Sequence, residues 1–150
     1  MTLGTKSKVK PYEFEWPKTV QILNGNLDQV RLHWFSTRAN SSLEIEAVRV
    51  ELSNGQSSYS NGNDKDKKGY NAMQFDPGSD VNRVMAGSLG SSISEIIFRL
   101  DNGNVKQKSY QMGQLSYSVD LPENSSIVGV YGKSDGARLS SLGFVLIMPK

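Results

Sequence analysis

Ile93-Ser94-Glu95-Ile96-Ile97-Phe98-Arg99-Leu100 puts apolar residues at 93, 96, 98 and 100, and the same spacing occurs twice more in the chain. One copy is Ile45, Val48, Val50 and Leu52, the other Leu139, Leu142, Phe144 and Leu146, so successive copies start 48 and 46 residues apart. Matching turn residues follow two of them, Ser53-Asn54-Gly55 and Asp101-Asn102-Gly103. A second marker accompanies the repeat: Met73-Gln74-Phe75-Asp76-Pro77 parallels Tyr117-Ser118-Val119-Asp120, with Pro122 just beyond. Near-constant spacing with shared turn chemistry marks a repeated unit that cannot bury its own apolar face alone.

Between the copies the dominant pattern has period two. Val30, Leu32 and Trp34 alternate with Arg31, His33 and Phe35, and Leu115, Tyr117, Val119 and Leu121 alternate with Ser116, Ser118 and Asp120. Side chains two apart in a strand share a face, so each such run buries one row and wets the other. On this reading Trp34 belongs to the core and His33 to the solvated row. Asn-Gly at 54–55 and 102–103 supplies the positive φ of tight hairpins. The expectation is an all-β chain of many short strands.

Composition closes off several functional classes. The chain has 150 residues, enough for one core, with 37% hydrophobic and 21% charged residues. With no Cys and a single His, disulfide scaffolds, thiol nucleophiles and Cys/His metal clusters are excluded. Seventeen basic against fifteen acidic residues leave a net charge of +2, far from that of a dedicated nucleic-acid binder. No run approaches the roughly 20 apolar residues of a membrane helix. No secretory signal is visible in the first ten residues, which points to the cytoplasm or a non-classical route unless the chain is an excised domain. In a secreted protein, Asn40 and Asn124 would head N-x-S glycosylation tripeptides.

Three units in this length fit two threefold architectures, the β-trefoil and the β-prism. The C-terminal stretch Ile127-Val128-Gly129-Val130-Tyr131-Gly132-Lys133-Ser134-Asp135-Gly136-Ala137-Arg138-Leu139-Ser140-Ser141-Leu142-Gly143-Phe144 separates them. It resembles the terminal hairpin of jacalin-related lectins: an apolar Ile-Val-Gly-aromatic-x-Gly strand, a glycine-bearing loop, then a Leu-Asp-aliphatic strand. The likeness extends more weakly to Ser92–Gly103 and Leu43–Gly55, and no Q-x-W repeat of the ricin type is present. The resemblance implies a β-prism of three four-stranded Greek-key sheets with pseudo-threefold symmetry. It places the domain at 20–150, with residues 1–19 as an N-terminal extension. Tyr12-x-Phe14-x-Trp16 in that extension is expected to add a strand that closes the prism, in preference to the alternative of a sugar-stacking platform.

The family resemblance also implies a non-enzymatic carbohydrate-binding function, without cofactor or metal. Its site joins an N-terminal double-glycine loop to the loop before the last strand, where the pattern is Gly-x-x-x-Asp. A carboxylate there accepts two sugar hydroxyls while backbone N–H groups point at the same oxygens. Here Gly136-Ala137-Arg138-Leu139-Ser140 puts a serine in the aspartate position, and Trp16-Pro17-Lys18 stands where the double glycine would be. The loop is also one residue longer than in typical members, and Asp135 lies within it. The candidate site residues are therefore Lys133, Ser134, Asp135, Gly136, Ala137, Arg138 and Ser140. Asp135 and Ser140 would act as acceptors, Gly136 and Ala137 as backbone donors, and Arg138 as a donor or lid. The expected partners are glycans, met by a homo-oligomer or tethered domains if binding is to be strong. The alternative is a β-prism used for protein interaction or targeting, as part of a pore-forming or defence protein, with the sugar site lost.

The remaining features are weaker. Asn63, Asp64 and Asp66 lie in a polar loop that lacks the Glu of a calcium site. Lys106, Lys108 and Arg99 are expected either to form a small basic patch for sulfated glycans or to protect a sheet edge. No phosphate-binding glycine motif and no carboxylate pair of glycosidase type is present.

Overall fold

The structure is a computed structural model that describes residues 2–4, 12–13, 30–59, 69–76, 78–89, 92–111, 114–134 and 137–147. Among them every regular element is a strand. These are β1 (Thr2–Gly4), β2 (Tyr12–Glu13), β3 (Leu32–Ala39), β4 (Ile45–Leu52), β5 (Ser57–Tyr59), β6 (Asn71–Gln74), β7 (Val81–Leu89), β8 (Ser92–Leu100), β9 (Val105–Ser109), β10 (Gln114–Asp120), β11 (Ser126–Ser134) and β12 (Leu139–Ile147). They form three four-stranded sheets, ordered β5-β4-β3-β6, β10-β7-β8-β9 and β1-β12-β11-β2. In the first two sheets the fourth strand returns to lie beside the first, the 4-1-2-3 order of a Greek key. The third follows the same order once β1 and β2 are counted after β12. Its unit is therefore assembled from both ends of the sequence. Tyr12–Glu13 pairs with Lys133 and Ser134 of β11, so Tyr12 lies in an added strand, while Phe14 and Trp16 lie outside the described residues. The boundary expected between 19 and 20 lies outside the described residues.

The three copies of the apolar template fall on β4, β8 and β12, the second strand of each unit. Ile45, Val48, Val50, Leu52, Ile93, Ile96, Phe98, Leu100, Leu139, Leu142 and Phe144 are all buried, and Leu146 packs against them half-buried. One shared core thus holds the inner faces of all three sheets. Phe98 stands at its middle, edge-on to Phe35, Phe75 and Phe144 with ring centroids 4.9, 5.4 and 6.2 Å away.

The two-residue gap in the template has a physical origin. Register between the first and second strands shifts at Arg38/Ala39, Gly87/Ser88 and Lys133/Ser134, which leaves Glu46, Ser94 and Ser140 as extra residues. Each is a β-bulge, which bends its strand and resets which side chains face inward. A second set recurs on the first strands, where His33, Asn82 and Val128 are the extra residues. The bulge at His33 corrects the expectation for Trp34. Alternation is broken there, so Phe35 is fully buried while Trp34 turns to the outer face, half-buried opposite Glu51 and Gln74.

The second marker is also displaced. Phe75 N–H donates to the His33 carbonyl and Leu121 N–H to that of Asn82, at 2.9 and 2.8 Å, so Phe75 corresponds to Leu121 rather than Val119.

The basic patch does not assemble. Paired residues of an antiparallel ladder share a face. Lys106 and Lys108 oppose Phe98 and Ile96 on the core side of the edge strand β9, whereas Arg99 opposes Val105 on the outer side. Arg99 and Arg83 there flank Asp120, and the Arg83 hydrogen bond, with both positive charges, holds that carboxyl below its usual range. Inward-turned lysines on an edge strand oppose pairing with another sheet. Asn61–Lys68, which includes the polar loop, lies outside the described residues.

The two Asn-Gly hairpins are built alike. Leu52 N–H bonds Gln56 O at 2.8 Å and Leu100 N–H bonds Asn104 O at 2.8 Å, closing three-residue loops. Only the glycines carry positive φ, +90° at Gly55 and +86° at Gly103. The asparagines stay at negative φ and use Oδ1 to accept Gln56 N–H and Asn104 N–H. An added Cβ at Gly103 meets no atom within 4 Å, so Gly103→Ala should lose about 1 kcal/mol of stability through backbone strain alone. Urea unfolding should show this as a lower midpoint at an unchanged slope.

Candidate functional site

Each unit joins its first strand to its second at the same end of the prism, through residues 40–44, 90–91 and 135–138. The residue just before each template copy is Glu44, Ser92 or Arg138. These pseudo-equivalent positions converge. Arg138 Nη1 lies 3.5 Å from Glu44 Oε2, joining the third unit to the first. Ser92 is fully buried and among the described residues its hydroxyl has no partner at hydrogen-bonding geometry, yet it faces the Glu44 carboxylate closely enough to favour its charge. An acid, a hydroxyl and a base thus occupy one place in the threefold plan.

Asn40 completes the junction. Its Nδ2 donates to the Ala137 carbonyl at 2.8 Å and to Glu44 Oε1 at 3.2 Å. Its Oδ1 accepts Ser42 N–H at 2.9 Å and Glu44 N–H at 3.0 Å. All four hydrogen-bonding positions of the amide are in use, and the nitrogen a glycan would occupy is already engaged. The same turn holds Leu43 at φ 59°, 47% exposed, a backbone region that side chains other than glycine seldom adopt. Local and cross-unit bonds together keep this loop in shape.

Burial pushes the Glu44 carboxyl up, but Ser92, Asn40 and Arg138 outweigh it and hold the group below its ordinary 4.5. The folded chain therefore takes up this proton less readily than the unfolded chain. Glu44 contributes stability above pH 4.5, and that contribution is lost as the pH falls through the lower folded value. Melting temperatures of wild type and Glu44→Gln, measured from pH 7 to pH 3, should converge on acidification. Parallel curves would remove Glu44 from the acid response.

The sequence-derived site residues fall as follows. Lys133 and Ser134 are paired through their backbones with Ser141 and Leu139, and their side chains lie outside the described residues. Asp135 and Gly136 lie outside them altogether. Ala137 is exposed, with its carbonyl taken by Asn40, and Arg138 is half-buried toward Glu44. Ser140 is the bulge residue of β12, 6% exposed. Ala137 and Arg138 are thus brought against the first unit, to Asn40 and Glu44. Glu44 was not singled out from the sequence, and Asn40 only as the head of a glycosylation tripeptide. The repeat itself carried the signal, since Glu44 precedes Ile45 as Arg138 precedes Leu139. Among the described residues no group of three or more His, Asp or Glu is placed to hold a metal ion.

No family model matches the chain, and no curated protein does. Solved structures do. A prostate-specific WGA16 glycoprotein lectin superposes over the whole of both chains with a TM-score of 0.70 at 13% identity. A lamprey immune protein matches 99% of this chain at TM-score 0.66 and 15% identity, and this chain spans only 43% of its length. A mannose binding jacalin related lectin from Ananas comosus matches 93% of this chain and 99% of its own, at TM-score 0.54 and 19% identity. Three Greek-key sheets around one core, with these structures as neighbours, give the chain the β-prism fold of the jacalin-related lectins.

Proposed function

We propose that the chain is a non-enzymatic carbohydrate-binding module that meets glycans with the loop between β11 and β12. The observation that supports this reading is that Ala137, just before β12, is exposed, while Ala137 and Arg138 are tied to Asn40 and Glu44. Structural neighbours named as lectins support it. In this reading Asp135 supplies the carboxylate that the family pattern has at the position of Ser140, and backbone groups of 136–137 complete the fan of partners. A single shallow site binds weakly, so useful strength comes from several copies acting together. A glycan array, followed by amide shift mapping with the best ligand, tests the proposal. Binding with shifts confined to 132–140 is the expected result, and an empty array with no shifts overturns it.

A second reading has its own support. The chain spans 43% of the lamprey immune protein, so the same fold occurs there as part of a larger molecule. A β-prism serving as a targeting or interaction module within a longer defence protein would not need the family aspartate. Ser140→Asp discriminates. Gain of mannose or galactose binding by the variant, where the wild type binds neither, marks a lost sugar site, whereas binding already present in the wild type marks a relocated one.

A further inference from the structure

We propose that Asn40 and Glu44 are positioning residues that hold Ala137 and Arg138, just before β12, in the geometry that sugar binding uses. The inference rests on the carbohydrate-binding reading and adds to it a contribution from a different unit of the fold. A loop that must be ordered on binding loses affinity to that ordering, and one already held does not. Here the ties cross from the first unit to the third: Asn40 Nδ2 to the Ala137 carbonyl at 2.8 Å, and Glu44 to the Arg138 guanidinium at 3.5 Å. Both fall on consecutive residues directly after Asp135 and Gly136, the residues that the carbohydrate-binding reading assigns as acceptor and donor. Glu44 is itself fixed, through its N–H and its Oε1, by the same Asn40 side chain. Asn40 is therefore the centre of the clamp and Glu44 its charged arm. The clamp also accounts for Arg138, whose guanidinium is directed to a carboxylate of the first unit and acts on the loop through that contact.

Asn40→Ser separates this role from a local one. The shorter hydroxyl can still cap its own turn by accepting Ser42 N–H, but it does not reach Ala137. Two readouts are taken on the full chain: amide exchange at 137–140, and affinity for the best glycan from the array. The expected result is about tenfold faster exchange at 137–140 with little change at β4 and β8, and about tenfold weaker glycan binding. Unchanged exchange at 137–140 overturns the clamp. Faster exchange with unchanged affinity overturns its role in binding. A wild-type chain that binds no glycan overturns the functional reading instead, and the exchange data then still decide whether the clamp exists. Should Asn40→Ser fail to fold, Glu44→Gln keeps the side-chain shape, removes the charge facing Arg138 and is read in the same two ways.

Discussion

Phe98→Ala should destabilise the chain by about 4 kcal/mol, within the range for truncating a buried phenylalanine, and lower the melting temperature by roughly 10 °C. The reason is its position more than its size. Phe98 on β8 lies edge-on to Phe35 of β3 and Phe144 of β12, so one ring touches the inner faces of all three sheets. Phe75 adds a perpendicular contact at 5.4 Å from beyond the end of β6. Edge-to-face pairs add about 1 kcal/mol each beyond the apolar area they bury. No single sheet can move in to fill the void without leaving the other two. Val105→Ala on the outer face of β9 is the control: Val105 is 52% exposed, and its change should stay within about 0.5 kcal/mol. Chemical denaturation of the two variants checks both values, and a loss below about 2 kcal/mol for Phe98→Ala would mean that the three sheets do not share one core.

Gly87→Val should destabilise by about 3 kcal/mol through an electrostatic route. Gly87 pairs with Glu95, and Glu95 with Ser109, on the outer face of the second sheet. Glu95 is 5% exposed, a low value for a carboxylate. Gln107 Nε2 donates to Glu95 Oε2 at 3.0 Å, and the Ser109 hydroxyl donates to the same oxygen. The side chain lies across the bare backbone of Gly87, where a Cβ would stand 3.1 Å from Oε1 and 3.2 Å from the Glu95 Cβ. A branched side chain there forces the carboxylate off its two donors while leaving it enclosed, and hydrogen bonds to a charged group are worth about 1.5–3 kcal/mol each when lost in this way. The diagnostic is the double variant. Gly87→Val combined with Glu95→Ala removes both the collision and the stranded charge, so the two losses should fall short of additive by 1 kcal/mol or more. Strict additivity would show that Gly87 matters only as backbone.

The repeat was legible because burial demands it. Four apolar positions on β4, β8 and β12 must reach the same axis, and their spacing survived in all three copies. The bulges were not legible as bulges. Glu46, Ser94 and Ser140 occupy one structural position, as do His33, Asn82 and Val128, yet Glu46 differs from the two serines and the second set mixes a ring, an amide and an aliphatic side chain. A bulge is a backbone event that selects no particular side chain. That is why Trp34 was read as core: strict alternation is the default until an extra residue breaks it, and nothing about His33 announces the break. The Asn-Gly turns were legible in place, but the glycine alone carries the positive φ. Ala137 and Arg138 were legible in the last hairpin itself. Asn40 and Glu44 were not, because their importance lies in contacts across 97 and 94 positions of sequence that appear only once the units close around their common axis.

That closure also orders events in time. Strands β3 to β6 find every partner between residues 32 and 74, whereas Thr2 and Leu3 pair with Gly143 and Leu142. A chain emerging from the ribosome can complete its first Greek key early, but must carry β1 as an unpaired edge until β12 has been made. Pairings between such distant segments form late because the loop between them is costly to close. In refolding followed by pulsed amide labelling, β4 should therefore gain protection before β12, and the nascent protein is most open to mispairing with its neighbours in that interval.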